Sequence, residues 1–297
     1  MRALVISGGG AKGAFAGGIA EYLIATEGVK YDLIVGCSTG SLLAPLLALG
    51  EIDRIREAYT TITQNDIFSV LPFRVKEYPD GTFKSSINHF NTLLMFIKGK
   101  KTFGETKSLR KTISKILTEP LFEKAKEQNL KVAVTVSNLS QNRIEYKYLT
   151  DNTYEDFCDW MWASTCFVPF MSIVEKNGFE YADGGFGNYV PIEEAIDAGA
   201  TEIDVIILQP KTKEVRKSTS RNAFDVLLNS VDFMLQQIVA DDIHIGQLES
   251  IYNRDLNLRF FFTPRVLTEH SFYFKPELMK AWWAEGYQYA STKSKLG

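Results

Sequence analysis

An α/β fold, with a mainly parallel sheet covered on both faces, is the architecture this chain predicts. Three stretches carry the prediction. Ala3-Leu4-Val5-Ile6 and Asp32-Leu33-Ile34-Val35 are short runs of strand length, the first apolar throughout, the second after its opening aspartate. Such runs belong to strands buried on both faces. Between and after them lie helical patterns, over Ala14 to Ala25 and from Ser41 to Leu49. The β-α-β-α order makes the two strands parallel neighbours joined by a crossover.

The rest of the chain extends the alternation. Gly28 is a plausible stop for the first helix, and Ile52 to Ile62 reads as another. Residues 64 to 105 are interrupted by Pro72, Pro79, Asp80-Gly81 and Gly99, with Asn88 to Ile97 patterned as a short helix. That segment reads as an insertion over the site. Lys107 to Leu117 is helical in pattern. Lys131 to Ser137 is a strand, and Arg143 to Leu149 alternates as its neighbour. Tyr154 to Ala163 reads as a helix. Met171 to Val174 and Phe179 to Ala182 flank Asn177-Gly178, a hairpin signal. Pro191 to Ala198 is a helix with proline in its first turn, ending at Gly199. Ile203 to Leu208 is a buried strand and Asn222 to Ile251 a long helical stretch, with a break expected near Asp241-Asp242. Leu256 to Phe262 is a strand and Pro276 to Ala290 a final helix. No repeat, low-complexity tract or linker divides the 297 residues. One domain spanning 1–297 is expected, with a motif core over 1–210 and residues 211–297 completing or capping it.

Composition excludes several classes. Hydrophobic residues are 45% and charged residues 23%, ordinary for a globular protein. A net charge of −3 implies no attraction to nucleic acid. Cys37, Cys158 and Cys166 form neither a disulfide framework nor a CxxC metal pattern, which suits a reducing compartment. The glycine-bound N-terminus does not read as a signal peptide, and no apolar run reaches the ~20 residues of a membrane span. A soluble, cytoplasmic protein is expected.

Gly36-Cys37-Ser38-Thr39-Gly40 sits between the second strand and its helix. Strand, sharp turn and helix is the context of a Gly-x-Ser-x-Gly nucleophile elbow, in which the turn lifts the serine hydroxyl clear of the sheet. Gly36 and Gly40 supply clearance, and the helix N-terminus points N–H groups at a developing oxyanion. The pentad alone is weak evidence, since Gly and Ser each make up roughly 7% of residues. The earlier glycine loop, Gly8-Gly9-Gly10-Ala11-Lys12-Gly13, also comes directly after a strand. It fits a dinucleotide fingerprint only in its glycines: the acidic residue required at the end of the second strand is absent, Asp32 standing at that strand's start. A Walker loop fails because Gly13, not Ser or Thr, comes after Lys12. An oxyanion hole made of bare glycine N–H groups remains, beside the alternative of a merely tight turn.

A serine nucleophile needs a base. Candidates are His89, His244, His270 and the aspartate of Asp183-Gly184-Gly185, which by itself also reads as a plain Asp-Gly turn. The glycine loop, the serine pentad and Asp183-Gly184-Gly185, in this order, resemble the patatin-like phospholipase family. Ala163-Ser164-x-x-x-x-Pro169 resembles the segment upstream of the family's aspartate, and Val190-Pro191-Ile192 through Gly199-Ala200 resembles the segment downstream of it. The resemblance covers residues 1 to 210. It implies a three-layer α/β/α fold with a mainly parallel central sheet, and hydrolysis of lipid acyl esters by a serine–aspartate dyad without histidine. Ser38 is then the nucleophile and Asp183 the base. Gly9 and Gly10 donate to the oxyanion, with Thr39 N–H a further donor, and Gly8, Lys12, Gly13, Gly36, Gly40, Gly184 and Gly185 support the motifs. No metal or organic cofactor is implied. The expected partner is a lipid or phospholipid substrate, met through transient contact with a membrane surface.

Two other functions compete: a general esterase for small soluble esters, and a catalytically silent lipid- or partner-binding module. Intact Ser38 and Asp183 oppose the second. Three stretches bear on lipid access: Leu93-Leu94-Met95-Phe96-Ile97 with Lys98, Lys100 and Lys101; Phe272-Tyr273-Phe274; and Trp282-Trp283. An interface reading fits the first and an acyl pocket the others, but ordinary core packing is the preferred expectation for all three.

Overall fold

The computed structural model describes residues 1–77, 83–212, 220 and 223–295. Its strands are β1 (Arg2–Ile6), β2 (Leu33–Cys37), β3 (Phe73–Glu77), β4 (Phe83–Ile87), β5 (Lys131–Asn138), β6 (Arg143–Tyr148), β7 (Val174–Lys176), β8 (Phe179–Asp183), β9 (Glu202–Pro210) and β10 (Asn257–Thr263). Its helices are α1 (Gly13–Glu21), α2 (Thr39–Ala48), α3 (Ile52–Thr61), α4 (Gln64–Ile67), α5 (His89–Ile97), α6 (Lys107–Ile116), α7 (Glu119–Glu127), α8 (Tyr154–Ser164), α9 (Ile192–Asp197), α10 (Ala223–Tyr252) and α11 (Pro276–Ser294).

The apolar runs form the parallel centre of one sheet, β10-β9-β1-β2-β5. Side chains alternate across it, as strand geometry requires. Leu4, Ile6, Ile34, Val132 and Val134 enter a large core beneath α1, α2, α3, α6, α7, α8 and α11. Ala3, Val5, Leu33, Val35 and Ala133 enter a smaller core beneath α9 and α10. This is the expected layering of helices, mainly parallel sheet and helices.

The antiparallel end of the sheet positions the site. β6 pairs with β5 over residues 133–138, which occupies one edge of β5. β2 pairs with residues 131–135 and β8 with residues 136–138, so these two share the other edge. β2 and β8 therefore meet end to end along β5. Cys37 lies opposite Thr135, and Asp183 lies opposite Val136.

The structure departs from the sequence reading in three places. α7 is not signalled by periodicity, because only Phe122 and Ala125 of its nine residues are buried; Pro120 in its first turn was the available cue. α10 runs unbroken through Asp241-Asp242. Aspartate costs a helix well under 1 kcal/mol, too little to break it, and Asp242 has backbone partners elsewhere. In the 64–105 segment α5 is the expected short helix, but α4 and the pairing of β3 with β4 were not signalled; residues 78–82, which include Pro79 and Asp80-Gly81, lie outside the described residues. The C-terminal third completes the fold. β10 adds a parallel edge strand to β9, and α11 packs along α1. That helix pair is in close approach: a Cβ at Gly18 would lie 2.0 Å from Trp283 O, and one at Gly286 2.1 Å from Phe15 O. Trp282 and Trp283 are buried there, in ordinary core packing.

Candidate active site

Ser38 is the residue between β2 and α2, with φ 51° and ψ −118°. A non-glycine residue in this region is strained and persists only where its surroundings over-determine it. Here they do. Ser38 N–H donates to Ser164 Oγ at 3.0 Å, and Ser38 O accepts from Ser41 Oγ at 2.6 Å and Ser41 N–H at 2.9 Å. The flanking glycines are required by space. A Cβ on Gly36 would lie 2.3 Å from Gly40 C and O, and one on Gly40 2.2 Å from Ile6 O. Thr39 N–H stands in the first turn of α2, where no intrahelical acceptor exists.

Asp183, 4% exposed, reaches the same point from β8. The Ser38 side chain faces its carboxylate and favours the ionised form. Oδ1 accepts from Gly185 N–H at 2.9 Å and, more weakly, from Cys37 Sγ at 3.9 Å. The backbone is anchored on both sides, Asp183 N–H to Cys166 O at 2.9 Å and Ser137 Oγ to Asp183 O at 2.8 Å. Burial pushes the Asp183 pKa up to about 7, partly opposed by the Ser38, Gly185 and Cys37 groups that face the carboxylate. His89 begins α5 and is exposed, His244 is exposed on α10, and His270 lies in the loop after β10.

The glycine loop closes the third side. Gly10 has φ 57°, and a Cβ there would collide with Ser271 O at 2.2 Å. Ala11 N–H donates to that same oxygen at 2.8 Å. Lys12 Nζ donates to Leu208 O at 2.8 Å, tying the loop to β9, and burial lowers its pKa to about 8. Lys12 thus has a structural partner and does not line the cavity at Ser38.

That cavity is a narrow slot of about 60 Å³. Gly10, Ser38 and Thr39 line it, with Leu42, Leu46, Ile113, Leu117, Met161 and Phe272 among its mostly apolar walls. Phe272 and Phe274 are held there by Gln64, whose Nε2 donates to Phe272 O at 2.8 Å and whose Oε1 accepts from Phe274 N–H at 3.0 Å. Phe272 and Phe274 line this cavity and also pack against the large core. A family model described as patatin-like phospholipase matches residues 4–196.

The chain belongs to the patatin-like phospholipase family. Over 64 residues it is 42% identical to the cUMP-AMP-activated phospholipase of Escherichia coli, a match covering 20% of this chain and 20% of that protein. Its fold is similar to that of VipD from Legionella pneumophila, with a TM-score of 0.53 and 15% identity, over 98% of this chain and 66% of that one. The chain therefore spans less than two thirds of that structure.

Within this patatin-like frame, several supporting groups escaped the sequence reading. Tyr189 O accepts from Gly8 N–H at 3.2 Å, and its ring covers both Gly8 and Gly185. Tyr189 and Val190 N–H in turn donate to a single oxygen of Asp242, each at 2.8 Å. Asp242 thereby holds the bridge between the glycine loop and the turn after Asp183. The signal available was an acidic pair inside an apolar helical stretch, the place where a buried polar role is most economical to explain. Ser164 stood in a recognised motif, yet its role as acceptor for Ser38 N–H needed the fold.

Proposed function

We propose that the protein is a lipid acyl hydrolase using Ser38 and Asp183 as a catalytic dyad. The observation that carries this reading is a strained serine that faces a buried carboxylate and lines an apolar slot. In the reaction, Asp183 accepts the Ser38 proton as Oγ attacks the ester carbonyl. The tetrahedral oxyanion is met by Gly9, Gly10 and Thr39 N–H groups, each contributing on the order of 3 kcal/mol to the barrier reduction. Asp183 returns its proton to the departing alcohol, leaving an acyl-Ser38. Water, deprotonated by Asp183, then releases the fatty acid. A base with a pKa near the working pH is the most efficient one for both transfers.

The slot favours long acyl chains over small soluble esters, since apolar walls stabilise each buried CH₂ by roughly 0.8 kcal/mol. A fluorophosphonate probe is expected to label Ser38 covalently, read by mass spectrometry of the labelled peptide. A folded protein that reacts nowhere would transfer the reading to a non-catalytic binding module.

The raised pKa of Asp183 fixes the pH dependence. The carboxylate must be ionised to act as base, so kcat/KM should fall as pH drops below about 7. This limb resembles that of a histidine, and substitution separates the two. His89→Ala, His244→Ala and His270→Ala should each keep both the limb and turnover within about tenfold of the parent, because a lost general base costs roughly 10²–10⁴-fold. A folded His270→Ala protein slowed about a thousandfold, within that range, would replace the dyad by a triad.

A further inference from the structure

α5 carries an apolar face that the fold leaves uncovered. Phe90, Leu93, Phe96 and Ile97 are 70%, 57%, 60% and 74% exposed. At 100° per residue they share an arc of about 120° on the helix. The opposite side is anchored: Met95 is buried, and Asn91 Nδ2 donates to Leu71 O at 2.8 Å. The core-packing expectation thus holds for Met95 and fails for the stripe. Three observations identify what covers it.

Charge is the first. No acidic residue occurs from Phe83 to Gly104, and the charges just beyond the stripe are Lys98, Lys100 and Lys101. Lys100 is paired with Glu105 at 3.8 Å, and Lys101 with Glu175 and Glu180 at 2.6 Å each. Apolar contact therefore dominates, with the lysines as a cationic edge. Size is the second. The four side chains offer on the order of 500 Å², reckoned from the 150–250 Å² of an aromatic side chain, less than the roughly 800 Å² per partner of a stable dimer. Continuity with the slot is the third. Ring centroids step from Phe96 to Phe103 at 5.9 Å, to Phe170 at 5.8 Å, to Phe73 at 5.3 Å and to Phe272 at 6.1 Å. Phe272 lines the slot beside Ser38.

We propose that α5 is a membrane-docking element. Its exposed face enters the headgroup–acyl boundary of a phospholipid bilayer, with Lys98, Lys100 and Lys101 at headgroup level. The aromatic run places the bilayer on the slot's side of the molecule, so an acyl chain passes from membrane to slot without crossing bulk water. The inference rests on reading the slot as an acyl site.

The test uses the full chain with Ser38→Ala, so that binding is read without turnover. Vesicles of phosphatidylcholine with phosphatidylglycerol are sedimented with the protein. The parent should bind, and Phe90→Ser, Leu93→Ser, Phe96→Ser and Ile97→Ser combined should weaken binding more than about a hundredfold. In a Ser38 background the same four substitutions should leave soluble short-chain ester turnover unchanged while vesicle hydrolysis falls. Should the combined variant misfold, Leu93→Cys carrying a polarity-sensitive dye reports instead, since Cys37, Cys158 and Cys166 are buried. Its emission should shift to the blue on adding vesicles. A parent that does not bind, a combined variant that binds as well, or a dye that does not shift overturns the proposal. Loss of all ester turnover with vesicle binding intact would instead strike the hydrolase reading alone.

Discussion

Asp183→Asn and Ser38→Ala are each expected to reduce lipid ester turnover by about ten-thousandfold, the scale seen when one member of a nucleophile–base unit is removed. The two losses should not add: a double variant should be no slower than either single one, because both remove the same covalent route. The variants should fold. For Asp183→Asn the sign of the stability change can be worked out. The folded-state pKa of about 7 lies above the ordinary aspartate value of 3.8, so the folded protein holds a proton that the unfolded chain releases between these values. Stability from this group is therefore fully present below the unfolded pKa and lost as pH rises through about 7. A neutral asparagine has no such loss. At about pH 8, above both values, Asp183→Asn should melt at or above the temperature of the parent, while having lost its activity. An inactive variant that also melts well below the parent there would show a structural role for the carboxylate in place of a catalytic one. Near-parental turnover by folded Asp183→Asn would remove the dyad altogether.

Gly40→Ala should have the largest effect on stability. Its new methyl group would meet Ile6 O at 2.2 Å, and that carbonyl belongs to the last residue of β1, in the middle of the parallel sheet. Neither side can yield. Retreat of β1 would disturb its register with β2 and β9, and retreat of α2 would move Ser38. The cost is expected at about 3 kcal/mol or more, the upper range for overpacking a rigid core. Urea denaturation monitored by circular dichroism gives the difference directly. A value within about 0.5 kcal/mol of the parent, as for an ordinary surface substitution, would mean that the elbow is looser than its contacts imply.

Much of the frame was legible because its signals are local. Apolar runs of strand length name buried strands wherever they occur, and Pro or Gly marks their ends. The elbow could be read from five residues because part of its constraint is local: a Cβ at Gly36 would meet Gly40 itself, whereas the space at Gly40 is closed by Ile6 O of β1. α7 was missed for the converse reason, since a helix burying two side chains leaves little periodicity to read. The break expected at Asp241-Asp242 failed because propensity is a weak term against the packing of a thirty-residue helix. The stripe on α5 and the core residue Met95 have the same apolar character, and no sequence pattern separates a face that meets protein from one that meets lipid.

By itself, then, the sequence determined the order of the strands and helices outside α4, β3, β4 and α7, the elbow at Ser38, the glycine loop, and the three motifs that make an acyl hydrolase the expected function. Tertiary structure decided which groups meet. Asp183 lies 145 positions beyond Ser38, and the two come together because β5 pairs β2 and β8 end to end on one edge. The same is true of Ser164 beneath Ser38 N–H, of Asp242 beneath Tyr189, and of Phe272 in the slot wall. The physical reason is one of range. Backbone preference and burial pattern act over a few residues and are written in neighbouring letters. A hydrogen bond between distant segments, and the burial that pushes a carboxylate up to about 7, arise only when a sheet register and packed helices place those segments side by side.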